Sequence, residues 1–550
     1  MDSQTSRHRF ARWSLALLLV SSACCGRSPK PNASKASQPS AVAPTKAANS
    51  LLTLPHVTVV ALSDWQGVIK PCGCVEELQR GGIERTAAWL QKLRAVDDSV
   101  VVVHAGALLA EDEHAKPGQK KQRNERMKAF AKMVDVLKVD AVSLSQDDLT
   151  RGGAVASDAL KSGKFPLVAT GWSSPIERAS PRRVLKTASG VRVGVFALSD
   201  KAGDTSALKA LATAQVKALR AEGAQVVIAL SDANLRTSRR VARAVDGVDV
   251  LVLGRVPPKT EPVEEGELDG GAWVLMPPRH GAYMAQLTLA INGQGPWRDA
   301  SAWLPGADQV IAKRVARLRE DLKRWRGPGQ SVATKRSIPF FERQLKELER
   351  AAQRVKTAAN KPLPQGRLAG YQSVGLPWSS EPDPAMAAMV KRFDERMAKI
   401  NLKHAWEPVA AVEGKARYVG EAVCAACHQD AAKWAKHDQH HHAWETLVKA
   451  GKTRDLDCVP CHVTGWQQPG GSAFANLKMF ERVQCESCHG PGSLHVASPT
   501  KSGPGSQIVR SPGAEVCTSC HSPEHAPRFA YRAYVPKLRA PGHGLPVKKP

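Results

Sequence analysis

Four times in its C-terminal region the chain sets two cysteines three positions apart with a histidine directly after them. The copies are Cys424-Ala-Ala-Cys427-His428, Cys458-Val-Pro-Cys461-His462, Cys485-Glu-Ser-Cys488-His489 and Cys517-Thr-Ser-Cys520-His521. Cysteines at that separation on a helical turn reach the two vinyl groups of one porphyrin. The adjacent histidine is then carried beneath the ring, where its imidazole meets the iron. Paired cysteines also bind structural zinc, and in an oxidising compartment they close as disulfides. Neither of those uses requires a histidine after every pair, whereas all eight cysteines of this region fall into such pairs. The expectation is four covalently attached haem c groups, fastened through Cys424, Cys427, Cys458, Cys461, Cys485, Cys488, Cys517 and Cys520 and ligated by His428, His462, His489 and His521. Zinc and disulfides stand as the competing uses.

Each iron needs a sixth ligand or keeps an open face, so the other histidines of the region matter: His437, His440, His441, His442, His495, His525 and His543. From Tyr418 to His543 the chain resembles the tetrahaem cytochrome c-554 family of the nitrogen cycle. The resemblance rests on "YVGEAVCAACH" followed by Trp434, on the cluster His440 to Ala443 ahead of Thr446 and Leu447, on "TGWQQPGG" and on "VQCESCHGPGSLH". It implies His440, His495 and His543 as distal ligands, with His442 competing for the place of His440, and leaves His437, His441 and His525 unligated. Three distal ligands for four irons leave one iron five-coordinate, as the family implies. Iron closed by two histidines shuttles electrons, whereas an open face binds a small molecule. Electron transfer with unidentified redox protein partners is the first expectation. An oxidoreductase acting on a small nitrogen compound is the alternative.

These motifs need elements to hold them. From Ala411 onward aliphatic runs vanish, so a mainly α cytochrome domain over 411–550 has little side-chain core of its own and depends on a staple. Upstream, residues 51–300 alternate β-branched runs such as "HVTVVAL", "SVVVVHAG" and "AQVVIAL" with amphipathic stretches such as "RTAAWLQKLRAV", which reads as an α/β domain. Residues 301–410 carry charged helical patterns between Gly/Pro breaks, with 21 Lys/Arg against 11 Asp/Glu, and read as a basic helical linker region.

The stretch "LSDWQGVIKPCGCVEELQRGGIERTAAWL" resembles the 5'-nucleotidase branch of the calcineurin-like metallophosphoesterases, which implies an α/β sandwich with two metal ions clamped at strand ends. By that resemblance Asp64 keeps a ligand slot, while Gln66, Ala107, Gln146, Asp147, Asp232, Arg255 and Pro257 stand where other ligands belong. Alanine has no donor atom and an arginine brings positive charge, so a non-catalytic docking domain is expected and an active phosphoesterase is the weaker alternative. Cys72 and Cys74 suggest a local disulfide, a metal site or a redox relay.

The formal charge of +27 would raise nucleic acid as a partner, but the N-terminus argues for export. Arg7, Arg9 and Arg12 precede "WSLALLLV" and then small residues, the layout of a secretory signal over residues 1–24. Cys24 offers a site for lipid and membrane attachment, and residues 25–50 read as a flexible tether. The expected location is the periplasm, free or anchored at the outer membrane, of a Gram-negative bacterium.

Overall fold

The computed structural model describes residues 50–70, 80–110, 119–172, 174–255, 267–327, 332–358, 360–403, 407–498, 508–522, 526, 529–541 and 543–545. The signal segment, Cys24, Cys72, Cys74, Pro257 and His525 lie outside them.

Two mixed sheets stack face to face. The strands in chain order are β1 (His56–Ser63), β2 (Val100–Ala105), β3 (Ala141–Ser143), β4 (Leu167–Val168), β5 (Arg182–Lys186), β6 (Arg192–Leu198), β7 (Val226–Ser231), β8 (Val250–Leu253), β9 (Glu267–Asp269), β10 (Ala272–Leu275), β11 (Tyr283–Asn292), β12 (Trp297–Asp299) and β13 (Gly366–Gly375). The seven-stranded sheet runs β12-β13-β11-β1-β2-β3-β4 and the six-stranded sheet β5-β6-β7-β8-β10-β9. Strand β1 pairs in parallel with β2 and antiparallel with β11.

The two-residue period of a strand explains the layering. From β1, Val57, Val59 and Ala61 point into the space between the sheets, where they meet Val193, Val195, Ile228, Val250, Leu287 and Trp273. Val60 and Leu62 point the other way, onto a helical layer. Burying each such side chain is worth about 1.5 to 3 kcal/mol relative to exposure.

Helices α1 (Ile83–Arg94), α2 (Gln119–Leu137), α3 (Gln146–Arg151) and α4 (Gly153–Ser162) belong to the first sheet's side, while α5 (Thr205–Ala221) and α6 (Leu235–Ala244) cover the second sheet. In α2, Met127, Phe130, Ala131, Val134 and Leu137 recur at helical spacing and form the buried face. Helix α5 starts at Asp204, whose carboxylate accepts from the backbone of Ser206 and Ala207. The product is an α/β/β/α sandwich.

The expectation of a basic helical linker region over residues 301–410 needs correction. Helices α7 (Ala307–Arg326) and α8 (Val332–Ala358) do pack as a hairpin, but β13 then pairs with β11 over ten residues, Tyr283 with Gly375 through Asn292 with Gly366. Helix α9 (Pro384–Lys403) next buries Met386 and Val390 in the core beneath α1 and α2. The segment thus completes the sandwich. Its strand, "GRLAGYQSVG", is poor in β-branched residues and is held by the ladder rather than by local preference.

The C-terminal region consists of short helices: α10 (Glu421–Cys427), α11 (Gln429–Ala435), α12 (Ala443–Ala450), α13 (Val459–His462), α14 (Leu477–Phe480), α15 (Cys485–His489), α16 (Ser493–Ala497), α17 (Ala514–Thr518) and α18 (Tyr531–Tyr534). A two-stranded pair, β14 (Ala540–Pro541) with β15 (Gly544–Leu545), brackets His543. Its apolar cluster is small: Leu447, Val459, Val463 and Leu477, with Trp444, Cys458, Trp466 and Phe474 against it. Among the described residues no helix is long and apolar enough to cross a membrane.

Candidate functional site

Each motif sits on a short helix, with its histidine in the helix's last turn or just past its end. Cys424 and Cys427 lie on α10, and the amide of His428 donates to the Cys424 carbonyl at 2.9 Å. Cys458 caps α13, which holds Cys461 and His462. Helix α15 holds Cys485, Cys488 and His489 and stops at Gly490, at φ 87°. Helix α17 carries Cys517, and the His521 amide donates to the Cys517 carbonyl at 2.8 Å.

Three of these histidines face another imidazole. The ring centroids of His428 and His495 lie 6.2 Å apart at 25°. His521 faces His440 at 6.0 Å, and His489 faces His543 at 6.1 Å. Two imidazoles each ligating one metal ion through a nitrogen at about 2 Å place their centroids about 6 Å apart, so the spacing fits an iron between them. His495 supports the fit independently, since its Nδ1 is buried without a hydrogen-bond partner among the described residues. All three pairs join residues distant in sequence.

The orientation of these rings is set by their other nitrogens. Nδ1 of His440 lies 2.7 Å from the Asp438 carboxylate, which raises the imidazole's pKa. Nδ1 of His462 lies 2.7 Å from the Ala443 carbonyl and 3.3 Å from the Thr446 hydroxyl. His489 and His543 lie against the carbonyls of Val509, at 2.7 Å, and Leu538, at 2.6 Å. Such partners fix the tautomer and the ring plane of a ligating histidine. Trp434 stacks on His543 at 4.0 Å and 6°, and Phe529 stacks on His521 at 4.5 Å and 11°.

His442 lies instead beside Glu445, at 3.3 Å, and against His441, whose ring takes a contact from Arg482. Of the competing pair, His440 is the one brought to a motif histidine.

Sequence reasoning missed two groups. Asp438 precedes His440 by two, a spacing at which a carboxylate reaches nearby backbone and ring donors. Glu486, inside the third motif and 2% exposed, accepts from the amides of Val419 (3.0 Å), Gly420 (2.7 Å) and Gly492 (2.7 Å). It ties α15 to the segment leading into α10, so the first and third motifs share one anchor. Burial meanwhile pushes the Cys488 thiol up to about 11, an inert environment for an unmodified cysteine.

In the α/β domain the strand ends present a different picture. The Asp64 carboxylate accepts from the Ala107 amide at 3.0 Å. The Gln66 side-chain oxygen accepts from Arg279 at 2.7 Å and contacts His280 at 3.0 Å. Arg255 donates to Asp147 at 3.1 Å and lies 3.4 Å from Asp200, so a guanidinium supplies the positive charge there. The Gln146 amide donates to Asp232, whose other oxygen is buried without a partner among the described residues, and burial raises this carboxyl to about 6. Asp64, Gln66, Arg255 and His280 all have positive φ, from 40° to 64°, so strained backbone persists at these strand ends. Gly106 and Gly254 let the two sheets close here; a Cβ on Gly106 would sit 2.1 Å from Asp64 Oδ1. Among the described residues no three His, Cys, Asp or Glu side chains converge to hold a metal ion.

Comparisons with known proteins fall on the two sides of this division. The family model described as cytochrome c554 and c-prime matches residues 423–490. Cytochrome c-554 of Nitrosomonas europaea is 31% identical over 160 residues, 23% of this chain and 68% of that protein. Among solved structures, the 5'-nucleotidase precursor of Thermus thermophilus aligns with a TM-score of 0.41 and 14% identity, covering 70% of this chain and 67% of that one. The sulfate thiohydrolase SoxB of Thermus thermophilus aligns at 0.40 with 12% identity, covering 64% of this chain and 62% of its own. The C-terminal region is therefore a multihaem c-type cytochrome, with covalently bound haem and a role in electron transfer. The chain belongs to the cytochrome c-554 family.

Proposed function

We propose that the protein is an exported tetrahaem cytochrome that passes electrons between redox proteins, and that its α/β sandwich is a docking domain without phosphoesterase activity. Haem c supplies one-electron chemistry when bound. The observation that carries this reading is the pairing of His428 with His495, His521 with His440 and His489 with His543 at 6.0 to 6.2 Å. The eight motif cysteines would fasten four groups, and the imidazole pairs would close three irons to other ligands. Asp438 and the backbone carbonyls beside His462, His489 and His543 hold the rings in their ligating orientation.

The sandwich's part in this reading is supported by Arg255 lying between Asp147 and Asp200 at the strand ends. A phosphoesterase of this kind needs two metal ions there. The basic run ahead of "WSLALLLV" and the small residues before Cys24 support export, with lipid on Cys24 as the anchor.

A second reading, oxidation or reduction of a small nitrogen compound, is favoured by one observation. A cavity of about 510 Å³ opens beside the second motif, walled by Trp444, Phe474, Leu477 and Lys478. Electron paramagnetic resonance of the oxidised protein separates the two. Entirely low-spin iron excludes an open site, and a high-spin fraction that changes on adding nitric oxide establishes one.

A further inference from the structure

The segment that enters the second motif is clamped by the sandwich. Gln122 of α2 donates to the carboxylates of Asp455 (2.7 Å) and Asp457 (2.9 Å), and its oxygen accepts from the Leu456 amide at 3.1 Å. Gln119 donates to the Leu456 carbonyl at 2.8 Å, and Arg126 pairs with Asp457. From α9, Asn401 donates to the Arg454 carbonyl at 2.7 Å and to Gln122 at 2.8 Å. Lys452 bridges Asp394 of α9 (2.9 Å) and Asp455 (2.8 Å). Gln122, Asn401 and Leu456 are buried. Thus residues 452–457, immediately ahead of Cys458, are fixed by side chains of the α/β domain.

One side chain of this clamped segment turns toward the cytochrome. Arg454 lines the 510 Å³ cavity together with Trp444, Phe474 and Leu477, which share an apolar cluster with Cys458. Its guanidinium carbon lies 4.7 Å from the Phe474 ring centre. Its Nη1 is buried with no hydrogen-bond partner among the described residues. A buried guanidinium nitrogen left without an acceptor is costly, and the planar fork suits a carboxylate.

We infer that Arg454 is a positioning residue of the second haem site, binding a haem carboxylate in this cavity, and that the sandwich acts on that site by holding the Arg454 backbone through Asn401. This deepens the tetrahaem reading and rests on it. A cation beside a haem carboxylate favours the reduced iron, so loss of the charge lowers the site's reduction potential. Docking of the sandwich and electron affinity of the second site are thereby linked.

The test uses the full holoprotein, with haem per chain counted first, so that failure of the tetrahaem reading shows separately from failure of the Arg454 assignment. In Arg454→Gln, spectroelectrochemistry is expected to show the second site's potential falling by about 59 mV, a tenfold change in its reduced-to-oxidised ratio. The other sites should stay in place. Arg454→Lys should restore most of the shift, and Asn401→Ala should give a smaller fall in the same direction. Selective loss of the second haem in Arg454→Gln, retained in Arg454→Lys, also supports the assignment. An unmoved potential in Arg454→Gln overturns it, as does equal loss of that haem in both Arg454 variants. A potential that responds to added acetate in the wild type but not in Arg454→Gln assigns the guanidinium to a free anion and overturns it too.

Discussion

At the residue scale the histidines divide by what they face. His440, His495 and His543 were legible as distal candidates because the flanking motifs resemble a tetrahaem family, and the structure sets each opposite a motif histidine. The groups that orient the rings of His489, His543 and His462 were not legible, because Val509, Leu538 and Ala443 contribute only backbone carbonyls, which carry no residue signature. Asp438 is the exception. Converting it to Asn removes a negative charge from the ring nitrogen of His440, making that imidazole a weaker donor. On the proposed assignment, the haem fastened at Cys517 and Cys520 should then rise in potential, by roughly the factor of 10 in its equilibrium that outer partners of metal-bound histidines command. Redox titration checks this, and an unchanged or lowered value contradicts it. Asp232 in the sandwich offers a test by pH. Its folded pKa, about 6, lies above the ordinary 3.8 because of burial, so its contribution to stability is full below about 3.8 and is lost as pH rises through 6. Asp232→Asn should therefore be more stable than the wild type at pH 7, by at most about 3 kcal/mol, since the pKa is displaced from 3.8 to about 6 and a displacement of one is worth about 1.4 kcal/mol. Urea midpoints at pH 7 and pH 4 should show that advantage shrinking as the native carboxyl takes up its proton.

Among the elements, the strands and amphipathic helices of the sandwich could be read locally, since Val57 to Leu62 form an apolar, β-branched run and α2 repeats its apolar face. Strand β13 could not, because Gly366, Gly370 and Gly375 and a scarcity of β-branched residues leave the signal to its partner β11. The short cytochrome helices are likewise poor in periodicity, and polar anchors hold them. Glu486 joins the first and third motifs through amides of Val419, Gly420 and Gly492, bonds to a charged group worth about 1.5 to 3 kcal/mol each at most. Glu486→Gln should cost about 2 kcal/mol and unfold the cytochrome region at lower temperature, followed by visible circular dichroism. A melting point equal to the wild type would show that the anchor is dispensable. The clamp predicts a second cost. Lys452→Met leaves the largely buried Asp455 without its cation, while Asp394 keeps Lys70, and breaking a buried pair costs about 3 kcal/mol or more. Urea unfolding monitored by haem absorbance should shift to lower concentration by that amount.

For the whole molecule, the contacts by which α2 joins the cytochrome link residues more than three hundred positions apart, such as Gln122 with Asp455, and even those from α9, such as Asn401 with Arg454, lie 53 apart, so no local pattern announces them. What the sequence does announce is the cysteine and histidine chemistry of the C-terminal region; the docking role of the sandwich is the proposal. Arg255 stands against Asp147 beside the strained backbone of Asp64 and Gln66, the observation on which the proposed docking role rests. Phosphatase assays with added manganese or zinc are expected to show no turnover above background, and metal-dependent hydrolysis would overturn the docking role. The central claim, however, is that the C-terminal interior is built from porphyrins. It is tested most directly by pyridine haemochrome determination combined with intact mass, on protein made in a host competent for cytochrome maturation. Four haems per chain, with all eight motif cysteines consumed, is the expected result; a colourless chain whose cysteines remain unmodified would contradict it.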